Sequence, residues 1–365
     1  MIPFSVLDLV PVIEGGNASQ AFRNMMELAP HCEKLGFKRY WLAEHHGMPS
    51  IASAATSVLI GQIGRVTETM RIGAGGIMLP NHSPLVIAEQ FGTLEALFPG
   101  RIDLGLGRAP GSEHGVAQAL RRASTTDPEA FPQDVQELMD YFSGKPKEGS
   151  VVAVPGAGLN IPIWILGSSL FGAHLAAKMG LPFAFASHFA PAMMMEALAV
   201  YRTNFQPSKQ LDKPYAMLGF NVFAADTERE AAFHASSVQQ AFINSRTGQR
   251  KRLPPPIDNY LKQIGWREHN ILEQILTCSA IGTPDMVEQE IKDFIALTEA
   301  DELMITCQMY DQAARMRSFE IVAEIQKNLP AEPPGPAEEP GQEREAVKGG
   351  MLQRLAGLFS PAAKR

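Results

Sequence analysis

One rhythm constrains this chain more than any other feature. Short apolar runs at residues 4–9, 39–43, 70–77, 102–106, 163–166, 183–186, 215–223 and 302–305 alternate with longer segments whose apolar residues fall three or four apart. Phe22, Met25, Met26, Ala29 and Cys32 form one such stripe, and Val135, Leu138, Met139 and Phe142 form another. A short, nearly continuous apolar run suits a strand buried on both faces, whereas three- and four-residue spacing places a stripe on one side of a helix. Repeated strand–helix units of this kind predict an α/β fold, a parallel sheet covered by helices. Eight units favour closure into a (β/α)8 TIM barrel over an open doubly wound sheet, and 365 residues suit one such barrel with extended loop insertions.

Three stretches break the rhythm. Residues 108–160 exceed an ordinary strand-to-helix connection and carry their own helix, and residues 246–280, with Pro254-Pro255-Pro256, form a second insertion. Long loops on a barrel often cover its active face. Thr283-Pro284-Asp285 then reads as an N-cap followed by proline in the first helical turn. The third break is the end. Residues 1–328 are expected to form the barrel domain, 329–350 a flexible linker rich in Pro, Glu and Gly, and 351–365 a short amphipathic peptide. In that peptide Met351, Leu352, Leu355, Leu358 and Phe359 share one helical face.

Bulk properties exclude several classes. A net charge of −7 argues against general affinity for nucleic acid or an anionic membrane. Cys32, Cys278 and Cys307 are far apart and lack metal-ligand spacing, which suggests buried thiols in a reducing compartment. The N-terminal residues lack the layout of a signal peptide, and no apolar run approaches the roughly 20 residues of a membrane span. A cytoplasmic enzyme is expected.

In a barrel the chemistry gathers where strands end. Glu44-His45-His46 follows the second run. Two imidazoles beside a carboxylate can handle protons near neutral pH, or one imidazole can cap a backbone group while the other is solvated. No third residue stands at a recognisable ligand spacing, so no metal is expected. Gly73-Ala74-Gly75-Gly76 ends the third run and would let a flat ligand approach the backbone closely, or form a plain turn. His82, beyond it, is a candidate pocket residue or a structural one. Gly105 and Gly107 lack the third glycine of a dinucleotide fingerprint. Arg108, at the end of the fourth run, can clamp a phosphate or pair with a surface carboxylate. Gly167-Ser168-Ser169 opens a helix and can receive an anion or cap that helix. Ser187-His188 ends the sixth run, which makes His188 another candidate pocket residue, and Asn221 lies within the seventh.

At these residues the chain resembles the bacterial-luciferase-like monooxygenase family of flavin-dependent oxidoreductases. The subgroup it is most similar to includes uncharacterised members from enteric bacteria. The resemblance spans residues 2–327 and rests on Trp41-Leu42-Ala43-Glu44-His45-His46, Gly73 to Gly76, Ser83-Pro84 through Leu94, Pro99-Gly100-Arg101 to Gly107-Arg108, and Leu166 to Ser169 before Gly180-Leu181-Pro182. It implies FMN as the cofactor, used as FMNH2 delivered by a separate flavin reductase. The reduced flavin reacts with O2, and the resulting flavin hydroperoxide oxygenates a small organic substrate. It further implies that His45 is the catalytic imidazole with Glu44 and His46 beside it, and that Arg108 and Ser169 hold the phosphate with Gly167 and Ser168 nearby. A cis peptide is implied at Gly75-Gly76 against the flavin ring. Gly107 stands where luciferase proper carries a cysteine, which puts light emission in doubt but leaves room for the flavin. A homodimer is the family's usual state.

Two other functions compete. The same fold serves F420-dependent hydride transfer, and a non-catalytic flavin-binding protein would keep the pocket without the reaction. Separately, the tethered C-terminal peptide resembles targeting peptides that bind a protein partner or a bacterial microcompartment shell, with a disordered tail as the alternative.

Overall fold

The computed structural model describes residues 2–108, 119–120, 130–144 and 151–329. Nine strands form one sheet: β1 Phe4–Asp8, β2 Arg39–Leu42, β3 Arg71–Met78, β4 Ile102–Gly107, β5 Ile163–Gly167, β6 Phe183–Phe185, β7 Ala216–Ala224, β8 Ser279–Gly282 and β9 Glu302–Thr306. β1 through β7 pair in chain order, β7 also pairs with β9, and β9 returns to β1. Every pairing is parallel, so eight strands close a (β/α)8 barrel. All eight runs read as strands in the sequence belong to this barrel. The ninth strand, β8, pairs only with the far end of β7, where Asn221 to Ala224 face Ser279 to Gly282. It lies at the edge of the second insertion. Four residues, Ser279-Ala280-Ile281-Gly282, are too few to show a period.

Ten described helices clothe the barrel: α1 Ala18–Leu35, α2 Thr56–Val66, α3 Pro84–Leu97, α4 Phe131–Phe142, α5 Leu170–Met179, α6 Met194–Asn204, α7 Glu228–Arg246, α8 Trp266–Ile275, α9 Pro284–Thr298 and α10 Gln312–Asn328. The stripes found in the sequence face inward. Met25, Ala29 and Cys32 of α1 are buried, as are Val135, Leu138 and Phe142 of α4. Local chemistry sets the ends. The Asn17 side chain accepts from the Gln20 N–H at 3.0 Å to start α1, and Gly36 ends it at φ 92°, a left-handed conformation that glycine adopts without a Cβ clash. Pro284 opens α9 as expected, although Thr283 makes no side-chain cap there. No described helix is long and apolar enough to cross a membrane. The linker and amphipathic peptide expected beyond residue 329 lie outside the described residues, as does much of the first insertion.

The barrel interior has layers. At the N-terminal ends of the strands, buried Arg39, Asp103 and Glu302 form an ionic plug joined by half-buried Arg71, with Arg39 Nη1 at 2.6 Å from Asp103 Oδ2 and Arg39 Nε at 2.9 Å from Glu302 Oε1. Above it sits an apolar layer of Leu7, Trp41, Ala43, Trp164, Ala184, Met217 and Met304. Trp41 and Trp164 meet edge to face at 5.2 Å. The remaining space, toward the C-terminal ends, is open.

Candidate active site

The loop after β2 is pinned at its base. Ala43 N–H donates to the Asp8 carbonyl at 3.2 Å, and His45 N–H to the Ser53 carbonyl at 3.3 Å. This anchoring splits the Glu44-His45-His46 trio. His45 lines the open cavity, whereas Glu44 and His46 do not. Glu44 is buried behind it, and its Oε1 lies 2.7 Å from His46 Nε2 and 2.7 Å from His82 Nε2. Its Oε2 accepts from the Met78 N–H at 3.1 Å. An ionised carboxylate only accepts, so both rings present an Nε2–H to it. Burial alone would raise the Glu44 pKa, but the hydrogen bonds and charge of His82, then His46 and the Met78 amide, outweigh burial and hold it below its ordinary value.

His82 reaches this carboxylate because a short 3-10 turn, Leu79–Asn81, follows β3 and folds the chain back. It is therefore engaged by Glu44 and is not among the residues lining the cavity. The ligating atoms of Glu44, His46 and His82 lie within 4.8 Å of one another, a set able to hold a metal ion. The sequence offered no third ligand at recognisable spacing; the fold supplies His82 from the turn after β3.

His45 and His188 both line the cavity, and each has a buried Nδ1 with no hydrogen-bond partner among the described residues. Burial lowers the His45 pKa, opposed by the Glu44 charge and assisted by that of His46. Burial, and then the charge of His45, bring His188 down to about 4. Both rings are therefore predominantly neutral at pH 7. Two residues beside them are structural. Ser187 Oγ donates to the Gly219 carbonyl at 2.7 Å, and Asn221 Nδ2 donates to the His188 carbonyl at 2.7 Å.

Across the cavity, β4 ends at Gly107 and delivers Arg108, whose guanidinium lies 3.9 Å from the centre of the Phe171 ring in the first turn of α5. Gly167 ends β5, and Ser168-Ser169 lead into α5. Ser169 occupies the N-cap position with extended backbone but makes no side-chain cap, so no hydroxyl occupies the first-turn N–H groups from that position. The Gly75-Gly76 peptide is cis, and the β3–β4 register shifts at that point, between Ala74 and Ile77. A Cβ on Gly76 would sit 2.7 Å from the Gly105 carbonyl oxygen, whereas one on Gly107 would meet Met78 Sδ at 3.3 Å and the Ile77 carbonyl oxygen at an ordinary 3.9 Å. Gly75, Gly76, Gly107, Arg108, Gly167, Ser168 and Ser169 all line the same cavity as His45 and His188, a space of about 830 Å³.

Part of that cavity escaped the sequence reading. Phe131 and Phe171 close one side, and Val238, Phe242 and Ile275 come from helices α7 and α8. Apolar residues on helices carry no mark that tells cavity wall from core. Only the basic run at Arg250-Lys251-Arg252 stands out in this region.

The model of the luciferase-like monooxygenase family matches residues 2–299. A luciferase-like monooxygenase of Escherichia coli strain K12 is 52% identical over 328 residues, covering 90% of this chain and 98% of that one. The chain belongs to the luciferase-like monooxygenase family. Among solved structures, apo-MsnO8 is 30% identical with a TM-score of 0.79, over 90% of this chain and 100% of that one. The oxygenating constituent of 3,6-diketocamphane monooxygenase from Pseudomonas putida, in complex with FMN, superposes with a TM-score of 0.66 at 17% identity, over 88% and 97%. An F420-dependent secondary alcohol dehydrogenase shares the fold at a TM-score of 0.60 and 14% identity, over 89% and 98%. The last two likenesses speak to fold alone.

Proposed function

We propose that this protein is an FMNH2- and O2-dependent monooxygenase acting on a small organic substrate. The observation that carries the reading is convergence: an arginine, an uncapped helix N-terminus, a glycine wall and an imidazole line one cavity. Arg108, with Ser168, Ser169 and the first-turn amides of α5, would hold the phosphate of FMN. Phe171 fixes the guanidinium plane so that it need not be ordered on binding. Gly75, Gly76 and Gly107 would leave the flat ring its space. The orphaned Nδ1 atoms of His45 and His188 would find polar partners in the occupied site. Reduced FMN, when bound, supplies the electrons that activate O2 for oxygen transfer.

The protein's own work is then positional. The apolar wall excludes water from the cavity. His45, neutral at pH 7, would give or take one proton, while Glu44 fixes His46 and His82 behind it as a positioning residue. A separate flavin reductase would supply FMNH2, and a homodimer is the proposed assembly.

The test is to titrate the protein with FMN, FMNH2 and F420, and to follow O2 consumption when FMNH2 is supplied. Tight FMNH2 binding with substrate-dependent oxygen uptake is expected. Binding of F420 without FMN or FMNH2 would overturn the reading in favour of hydride transfer. Flavin binding with no oxygenated product from any substrate would leave a flavin carrier.

A further inference from the structure

Among the described residues, the charge lining the cavity is one-sided. Its ionisable described side chains are His45, Arg108, His188, Arg246, Arg250 and Lys251, with no Asp or Glu among the described residues. This bias sits in a chain of net charge −7. Arg108 lies at the proposed phosphate end. The other three cations occupy one exposed stretch at the end of α7 and just beyond.

That stretch is built. Gly248, at φ 76°, reverses the chain after α7, with its N–H on the Ser245 carbonyl at 3.2 Å and the Gln249 N–H on that of Asn244 at 2.7 Å. The strand-like segment that follows is tied across the cavity rim. Leu253 N–H donates to the Val12 carbonyl at 2.9 Å, Arg252 Nη1 to the Gly16 carbonyl at 2.6 Å, and Arg250 Nη1 to the Gly47 carbonyl at 3.3 Å. A cation at a helix C-terminus answers the helix dipole, which accounts for Arg246. Arg250 and Lys251 lie past the helix end. Beneath them the wall turns apolar, through Val238, Phe242 and Ile275. Exposed cations over a low-dielectric cleft focus a positive potential into it.

We infer that the organic substrate is an amphiphilic anion: an apolar or aromatic body seated on the α7–α8 wall, with a carboxylate, sulfonate or phosphate head at Arg246, Arg250 and Lys251. The inference rests on the reading that FMN takes the Arg108 end. It names the class that the rim selects, by attraction of one charge and exclusion of the opposite one.

A matched pair of fluorescent probes tests it on the full-length apo protein. 8-Anilinonaphthalene-1-sulfonate carries the anionic head, and N-phenyl-1-naphthylamine is its neutral parent. Binding is read by energy transfer from the tryptophans, of which Trp41 lines the cavity and Trp164 packs on it, in a Trp266→Phe background that removes the exposed third one. The sulfonate is expected to bind at least about tenfold more tightly, a difference of about 1.4 kcal/mol. The preference should collapse in the triple variant Arg246→Gln/Arg250→Gln/Lys251→Gln and weaken with salt. It should persist in Arg108→Gln. Equal affinities in the wild type, or a preference that survives the triple variant, overturn the inference; so does a preference lost only in Arg108→Gln, which assigns the anion to the phosphate end. Circular-dichroism melts check that the triple variant, changed only at exposed positions, is folded. FMN titrations run alongside keep the two readings apart. Failure of the wild type to bind FMN defeats the proposed function, whereas the probe ratio judges the rim by itself.

Discussion

His82 and Glu44 stand 38 positions apart in the chain and 2.7 Å apart at Nε2 and Oε1. The same oxygen receives His46 Nε2 at 2.7 Å, and the other oxygen receives the Met78 amide. One buried carboxylate thus ties the loop after β2 to the turn after β3. Glu44→Gln keeps the shape but puts an NH2 where an acceptor is needed. We expect it to destabilise the fold by about 2 kcal/mol, read as a lower denaturant midpoint at unchanged slope. Its acid limb should change too. A carboxyl whose folded pKa is depressed adds stability above its unfolded value, ordinarily 4.5, and loses it as pH falls through the folded value. Wild-type stability should therefore drop below about pH 4.5 more steeply than that of Glu44→Gln. Parallel acid limbs in the two proteins would sink the claim.

His188 should act in the neighbouring window. Its folded pKa is about 4 against an ordinary 6.5, so between those values the unfolded chain binds the extra proton. Stability then falls as pH drops from 6.5 to 4 and levels with respect to this group below that. The contribution is on the order of 3 kcal/mol. His188→Gln, which carries no titrating ring, should flatten chemical-denaturation stability across this range. An unchanged slope would mean that another group titrates there.

Arg108 separates binding from folding. The guanidinium lies on the Phe171 ring at the mouth of α5. Arg108→Gln should weaken FMN affinity about 10- to 100-fold, the worth of one or two charge-assisted hydrogen bonds. Its melting temperature without FMN should move little. Fluorescence titration of FMN checks the first part and a thermal melt the second.

The glycines of the cavity wall should divide into two kinds. A methyl on Gly76 meets backbone, the Gly105 carbonyl oxygen at 2.7 Å, and backbone cannot swing away. A methyl on Gly107 meets Met78 Sδ at 3.3 Å, the end of a flexible side chain. Gly76→Ala is expected to destabilise by roughly 2 kcal/mol or more, and Gly107→Ala by less than about 1 kcal/mol. Equal losses in denaturant titrations would contradict this division.

Much of this molecule is legible without coordinates. The eight barrel strands were visible because runs buried on both faces are mostly apolar, and the strand-end groups His45, Gly75-Gly76, Arg108 and Ser168-Ser169 announced themselves by position. What stayed hidden has a common cause, which is distance along the chain. Nothing in Glu44-His45-His46 tells which side chains turn inward; that is decided by His82, which arrives from the turn after β3 to claim Glu44. The α7–α8 wall is apolar like any core surface. β8 is too short to have a period.

The ionic plug is the furthest-flung case, and it tests the division between the two ends of the barrel. Asp103 on β4 receives Arg39 from β2 at 2.6 Å, Arg71 from β3 at 2.6 Å and the Trp41 indole N–H at 3.2 Å. Its carboxylate is fully buried, and Arg39 nearly so. Asp103→Asn would leave Arg39 with Glu302 as its one carboxylate partner among the described residues, at 2.9 Å. Removing one partner of a buried pair costs about 3–5 kcal/mol, because the remaining charge stays out of water. The plug lies at the N-terminal ends of the strands, beneath the Trp41–Trp164 layer, whereas the cavity opens at the other end. Asp103→Asn should therefore lower the denaturant midpoint sharply yet leave the FMN affinity of the folded protein within about twofold of wild type. A variant that keeps its stability but loses FMN would show that the plug reaches the site through Trp41, and that the two ends are not independent.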